Sequence, residues 1–360
     1  MLTQKMRRGI VLSLVLAFVV MTAIALYGDV PHMAVALAHF RWYYLPLILG
    51  LTLFNYGWRF VKWHYYLRRL KIDIRPGKSL LIFLSGLSMA ITPGKVGELL
   101  KSYQLKRTTG AAVSRTSPII VCERLTDGIA MIGLATTGLV LYRFGWELLL
   151  ILLISGLAGI ILIQNRSLAL GLLSRTERLP GVARIAHLIR AFYESAYLLL
   201  QWRPLLLAIC IGLISWSGEC GAMYFVYTGL GVAASFDLFI KAMFILAVSS
   251  LIGSASGLPG GLGTADGSML GLTRLLVSGS ATIGGAATLL IRLCTLWFGL
   301  FIGVCALLTF RSIQRVDVSS EQGKSREGLQ GEDYTVSPMK ERLSDLEPAS
   351  TSANIGEKIV

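Results

Sequence analysis

Thr92-Pro93-Gly94-Lys95-Val96-Gly97-Glu98 interrupts one apolar stretch of the chain, and Gly257-Leu258-Pro259-Gly260-Gly261-Leu262-Gly263 interrupts another. Proline cannot donate to a helix, and glycine frees the backbone to turn. Each segment therefore ends one helix and lets a shorter one start. In hydrocarbon, every backbone group left unpaired by such a break costs several kcal/mol, so broken helices survive only inside protein or beside a watery cavity. Two proline kinks in ordinary spans are the plainer alternative. A kink needs one breaker, whereas each tip here carries several glycines.

Outward from the tips, the chain is 54% hydrophobic and 15% charged, against about 25% charged residues in a soluble domain. The fold class expected is an all-α polytopic membrane protein. Apolar runs lie at roughly 9–27, 43–61, 79–92, 117–142, 146–164, 204–229, 238–257 and 282–310, with half-helices at about 96–106 and 262–277 after the tips; their lengths read as helices. The first run follows Lys5, Arg7 and Arg8, and no small-residue cleavage site comes after it. It reads as an uncleaved span rather than a signal peptide.

The net charge of +14 sits mostly at the ends of these runs, where lysine and arginine act as topology signals. Lys62, Arg68, Arg69, Lys71, Arg75 and Lys78 fill one loop, Lys101, Lys106, Arg107 and Arg115 the next, and Arg166 to Arg203 a third; the intervening connections offer Arg41, Arg143 and Lys241. The rich loops and both termini are thus expected in the cytoplasm of a bacterial-type inner (plasma) membrane. The Pro93 element then enters and leaves on the cytoplasmic side, and the Pro259 element on the opposite side. About six full spans plus two re-entrant hairpins result. The two elements, with the helices after them, form an inverted repeat at about 79–142 and 238–310, and the Pro93-to-Arg124 and Pro259-to-Arg292 separations differ by about two residues. Paired broken helices in inverted repeats are a usual construction of a transporter's midplane site.

Three further segments complete the organisation. Residues 174–200 carry apolar side chains at helical spacing against Arg184 and Arg190, an amphipathic helix for the cytoplasmic surface. Residues 313–360 are polar and poor in aromatics, and a disordered tail is expected. The membrane domain is 1–312. Asn55, Arg59 and Lys62, among Trp58, Trp63, Tyr65 and Tyr66, read as an interfacial basic and aromatic belt.

Charges inside the apolar runs are the candidate functional residues, because each costs at least about 2.5–3.5 kcal/mol at a bilayer centre unless paired or facing a cavity. Glu123 and Asp127 share a helical face, and Arg124 can reach Asp127. These three form either a structural ion cluster near the headgroups or a cavity-facing set. Glu219 is a coupling group or counter-charge, as are Glu123 and Asp127. For headgroup binding the candidates are Pro93, Gly94, Lys95, Gly97, Glu98, Lys101 and Arg124 around the first tip, and Pro259, Gly260, Gly263, Asp266 and Arg292 around the second. Half-helix amino termini attract phosphate or carboxylate, and arginine can grip a phosphate with two hydrogen bonds. The five cysteines lie in apolar segments without a CxxC pair and the four histidines are scattered. The cysteines read as buried small hydrophobes, and neither a metal site nor a cofactor is implied. No arginine-rich helix or base-stacking module points to nucleic acid. No GxSxG, HExxH or Walker pattern points to an enzyme.

The first tip, with Glu123-Arg124-Leu125 and Asp127 downstream and Leu258-Pro259-Gly260-Gly261-Leu262-Gly263 later, resembles the lysylphosphatidylglycerol-synthase-type transmembrane family, also called flippase-like or UPF0104. The flippase half of the multiple-peptide-resistance factor belongs to it. The resemblance covers about residues 8–312, and Thr264 stands where the first tip has Glu98. It implies movement of an anionic or aminoacylated phospholipid between leaflets, with membrane lipids as partners and lipid-synthesis enzymes as candidate neighbours. Two other readings stand beside it: a membrane enzyme or accessory subunit in lipid-linked sugar transfer, and a scaffold for a lipid-synthesis complex. Oligomeric state and the lipid itself are not legible.

Overall fold

The computed structural model describes residues 30–92, 97–142, 146–166, 171 and 186–313. The expected first span, the tip residues Pro93, Gly94 and Lys95, the first part of the amphipathic segment and nearly all of the tail lie outside the described residues. Contacts group the chain into two units, Met1–Phe310 and Arg311–Val360.

Among the described residues the structure is helical, without strands. The helices are α1 (Val30–Ala38), α2 (Leu45–Arg69), α3 (Pro76–Leu87), α4 (Leu99–Thr109), α5 (Val113–Tyr142), α6 (Trp146–Gln164), α7 (Ala186–Leu199), α8 (Trp202–Gly229), α9 (Phe236–Ala255), α10 (Thr264–Thr273) and α11 (Ala281–Arg292). A π-turn, Leu293–Trp297, continues α11 into one helix reaching Ile313. The boundaries follow local chemistry. Pro46 and Pro76 sit in the first turns of α2 and α3, where the missing N–H costs nothing. Gly110 ends α4 in the left-handed conformation, and Ser235 caps α9 by accepting from the Leu238 N–H at 3.0 Å.

Among the described residues, three helices are long and apolar enough to cross a membrane: Trp202–Gly229, Phe236–Ala255 and Ala281–Ile313. A fourth candidate is the bent pair Pro31–Ala38 and Trp42–Arg69, angled by 67°. Several charges on the other long helices are buried, among them Lys62 on α2 and Glu123 and Asp127 on α5. Exposed Ile151, Ile154 and Ile161 on α6 and Leu206 and Leu207 on α8 present the apolar exterior that a lipid-solvated protein requires.

The tightest crossing joins α2 and α8. Asn55 Nδ2 donates to the Ser215 carbonyl at 3.0 Å, and Ser215 Oγ returns a hydrogen bond to the Asn55 carbonyl at 3.1 Å. Gly218 lets the backbones close, since a Cβ there would stand 2.8 Å from Phe54 and 3.1 Å from the Leu51 carbonyl. Gly218→Leu is expected to destabilise by about 1–3 kcal/mol, the usual cost of overpacking, read as a lower thermal midpoint of the detergent-purified protein. Around this crossing α5, α9, α10 and α11 build the main core with Met223, Tyr227, Phe244 and Ile291. A second cluster joins α2, α3 and α5 through Trp63, Tyr66, Ile82 and Ile119.

The two interrupted elements meet. Ile91, just before the first tip, packs with Leu262 of the second, over Leu296, Trp297 and Leu300 of the last helix. That helix also lies against α2 and the end of α3. Tyr56 donates to the Thr295 carbonyl in the π-turn at 2.8 Å, Gly299 faces the Tyr56 hydroxyl, and Gly303 abuts the Leu87–Ser88 backbone.

Three expectations change. In the described part of the amphipathic segment, α7, the apolar face is divided, with Leu188 exposed. Ala196 and Leu199 are buried against α5 and α6, and polar contacts pin it there, with the Tyr193 hydroxyl on the Ile163 carbonyl at 3.0 Å and Arg166 on Glu194 at 2.8 Å. The interfacial belt on α2 turns inward, with Lys62, Trp63 and Tyr66 essentially inaccessible. Of the cysteines, Cys122, Cys220 and Cys294 are buried, but Cys210 and Cys305 are exposed on helix surfaces.

Candidate functional site

Helices α2, α3, α4, α5, α8, α9, α10 and α11, with Glu98 of the first tip and Gly260 and Gly261 of the second, line one half-open cavity of about 160 Å³. Its wall is amphipathic. Leu87, Ala90, Met269 and Leu296 form apolar surface, while Arg59, Glu98, Lys101, Arg124, Trp216, Glu219 and Arg292 bring charge and polarity.

The first tip closes on itself. The Gly97 N–H donates to Thr92 Oγ1 at 2.9 Å, and a Cβ at Gly97 would lie 2.6 Å from that oxygen and 2.7 Å from Met89. Only glycine fits. This turn delivers Glu98, 7% exposed, to the cavity, and one turn later α4 delivers Lys101. The Lys101 stem lies across Gly86, and its ammonium stands 4.8 Å from the Trp63 ring centre. Lys101 Nζ pairs with Glu123 at 2.7 Å and approaches Glu98 at 3.8 Å.

The second tip is built from left-handed glycines. Gly260, Gly261 and Gly263 have φ of 61°, 67° and 83°, a region open to glycine at little cost. The Gly263 N–H donates to Asp266 Oδ2 at 2.8 Å, so the amino terminus of α10 is capped by its own side chain. The free helix terminus expected for phosphate is, at that N–H, already occupied. Asp266 Oδ1 pairs with Arg292 Nε, and Arg292 Nη1 donates to the Gly260 carbonyl at 3.3 Å.

Each tip thus sends an acid toward the arginine of the helix that follows it: Glu98 to Arg124, at 3.7 Å, and Asp266 to Arg292. The two ion contacts differ in closure. Asp266 is in contact with Arg292. Arg124 Nη2 stands 3.7 Å from Glu98 and 3.6 Å from Asp127, both beyond hydrogen-bond range. Asp127 is instead engaged by Lys62.

The candidate residues therefore separate. Glu98, Lys101, Arg124, Gly260, Arg292 and Glu219 reach the cavity wall. Asp266, Glu123 and Asp127 do not. They lie buried behind it at 0%, 2% and 1% exposure, as counter-charges to Arg292, Lys101 and Lys62. Pro259 is buried, and Gly97 and Gly263 act through backbone shape. Trp216, Arg59 and Tyr56 on the wall, and Lys62 behind it, were not among the candidates. The spacing of Asn55, Arg59 and Lys62 on one helical face was the signal, and it marks an inner face here.

Four buried donor atoms around the cavity have no hydrogen-bond acceptor among the described residues: Arg124 Nε and Nη2, Arg292 Nη2 and Trp216 Nε1. A buried donor left unmade costs about 1–3 kcal/mol, more when charged. Three helices therefore bring residues with such donors, two of them guanidinium groups, to the wall of one small space, beside Glu98 Oε2, which likewise makes no hydrogen bond among the described residues. That arrangement suits an oxyanion.

Comparison with known proteins agrees with a membrane role. The family described as "Lysylphosphatidylglycerol synthase TM region" matches residues 9–303. A UPF0104 membrane protein of Methanothermobacter thermautotrophicus is 28% identical over 281 residues, 70% of this chain and 81% of that protein. A second UPF0104 membrane protein of the same organism is 38% identical over 88 residues, a quarter of its own length (25%) and 24% of this chain. The chain belongs to the lysylphosphatidylglycerol synthase transmembrane-region family, among the UPF0104 membrane proteins.

Proposed function

We propose that this protein moves a phosphate-bearing anionic lipid between the leaflets of a bacterial-type inner membrane. The convergence of acceptor-free donors from Arg124, Arg292 and Trp216 on one cavity carries this reading. A phosphate's oxygens would complete those hydrogen bonds, and two guanidinium groups would balance its charge. The apolar sector of the wall, with Leu87, Ala90 and Leu296, gives the first carbons of an acyl chain a surface to lie on.

The transport geometry proposed is an inverted repeat. The two tips meet at Ile91 and Leu262, and each acid-to-arginine contact runs from a tip to the next helix. Both features suit two hairpins entering from opposite faces, with both termini in the cytoplasm and about six full spans around them. Glu98 and Glu219 stand on the wall, where they can balance the arginines once the headgroup leaves. Energy would come from an ion gradient or from the lipid gradient itself.

Purified protein reconstituted into liposomes with a fluorescent phosphatidylglycerol, followed by chemical quenching of the outer leaflet, tests this. Faster exchange than in protein-free liposomes is expected. Arg124→Gln and Arg292→Gln should each slow exchange at least about tenfold, given that a lost charge-assisted hydrogen bond is worth about 1.5–3 kcal/mol. Equal exchange with and without protein, across several anionic lipids, would sink the proposal.

A further inference from the structure

Lys62 lies outside every set of residues that the sequence singles out for binding. It is 1% exposed, pairs with Asp127 Oδ1, and reaches Thr126 Oγ1 at 3.4 Å. Burying a lysine this far is costly unless the residue is fully paired. Asp127 is as deeply buried, and its second oxygen is the one that faces Arg124 Nη2 at 3.6 Å.

An arginine beside a buried carboxylate ordinarily closes on it as a forked pair. Arg124 has two carboxylates within 4 Å and has closed on neither. Its Nε and Nη2 remain without acceptors. In both cases a lysine also engages the acidic group nearby. Lys62 holds Asp127. Lys101 is bonded to Glu123 at 2.7 Å and lies 3.8 Å from Glu98. Arg292 is the internal contrast. Its partner Asp266 is held on the other oxygen by a backbone N–H rather than by a lysine, and the carboxylate has closed on Arg292 Nε.

We propose that Lys62 is a positioning residue for anion binding: by holding Asp127, it keeps the Arg124 guanidinium open toward the cavity. The inference rests on the reading of that cavity as an anion site. With Lys62 gone, Arg124, at 3.6 Å, exerts the stronger pull of the two cations left to Asp127, the other being Arg59. In a low-dielectric setting its attraction for Arg124 rises steeply with approach. The carboxylate then takes up the donors that the anion needs. Lys62 itself never touches the ligand, because it does not reach the wall.

The test is titration of the full-length, detergent-purified chain with dioctanoyl phosphatidylglycerol, by calorimetry, with inorganic phosphate in a parallel arm. Thermal unfolding is recorded for each variant. Lys62→Met should bind the lipid at least about tenfold more weakly, equivalent to about 1.4 kcal/mol. Lys62→Arg should bind as the parent does. The double variant Lys62→Met with Asp127→Asn removes the lysine and the competing carboxylate together. It should return to within about threefold of the parent affinity, the scale of ordinary non-additivity. A merely structural ion pair would lower the thermal midpoint of Lys62→Met and leave the affinity of the folded protein unchanged, and that result overturns the proposal. So does a well-folded double variant that binds no better than Lys62→Met. If Lys62→Met does not fold, the charge-free double variant decides: near-parental affinity supports the proposal, and affinity about tenfold weaker overturns it. Parent protein with no affinity for either ligand, or with affinity indifferent to Arg124→Gln, overturns the anion-site reading and this inference with it. Affinity that needs Arg124 but not Lys62 overturns this inference alone. The same ranking in the phosphate arm identifies the phosphate group as what Arg124 reads; a ranking seen only with lipid shows that the acyl portion is needed too.

Discussion

Asp266→Asn is expected to remove about 3–5 kcal/mol of stability, the cost of stripping a buried cation of its counter-charge. Asp266 is fully inaccessible, and the Arg292 side chain beside it is only 12% exposed. Both oxygens are used: Oδ1 by Arg292 Nε and Oδ2 by the Gly263 N–H. An amide can keep only one of these roles. Its oxygen can accept from Gly263, but its NH2 then faces a guanidinium, donor against donor. The second tip keeps either its cap or its tie to the last helix, not both. Thermal unfolding in detergent measures the effect. Adding Arg292→Gln to Asp266→Asn should recover much of the loss, because no unpaired charge then remains. A single variant within about 1 kcal/mol of the parent would show that the pair contributes little, as surface ion pairs do.

Gly261→Val should cost about 3 kcal/mol, from two separate terms. Gly261 has φ of 67°, and a side chain in the left-handed region costs about 1–2 kcal/mol. A branched side chain there is a genuine outlier. The second term is space. A Cβ at Gly261 would stand 3.1 Å from the Gly253 Cα and 3.4 Å from the Ala265 Cβ, and forcing methyl groups into such contacts costs about 1–3 kcal/mol. Gly253→Ala separates the terms. Gly253 lies within the helix α9, so it carries no conformational penalty, but its added Cβ would meet Ala265 at 2.7 Å. It should show the packing cost alone. Thermal midpoints of the two variants give the comparison, and a Gly261→Val loss no larger than that of Gly253→Ala would remove the backbone term.

Element positions were legible where punctuation and length agreed. The run 146–164 reappears unchanged as α6, and 204–229 and 238–257 shift by about two residues at their ends. Both glycine tips were legible for the same reason. What hydropathy could not supply was the direction each charged face points. Arg59 and Lys62 on α2 look the same whether they meet headgroups or Asp127, because helical spacing fixes neighbours on one helix and not the partner across from it. The charges of α5 raised the same ambiguity, and the structure places Glu123 and Asp127 behind the wall while Arg124 faces the cavity. Thr264 stands at the second-tip position that matches Glu98, and Asp266 comes two residues later. Spacing did not reveal that each of these acids meets the arginine of the helix after its tip, Glu98 with Arg124 at 3.7 Å and Asp266 with Arg292.

The π-turn in the last helix has a consequence for how that segment can change. A π-turn is a helix holding one residue more than its α-helical path requires. Deleting any single residue from 293–297 would leave the apolar character of the segment intact. The surplus residue would be lost and the turn would close into regular α-helix, with Gly299 still against the Tyr56 hydroxyl and Gly303 against the Ser88 backbone. The same deletion in the regular part of the helix, between the π-turn and Gly299, would turn everything beyond it by about 100° and draw it back by about 1.5 Å. Along the exposed side, at Phe301, Val304 and Leu308, one apolar residue can stand for another. Length has slack at the π-turn alone: elsewhere this helix is specified by its phase as well as its chemistry, and a frame of one residue decides whether it still meets α2 and α3.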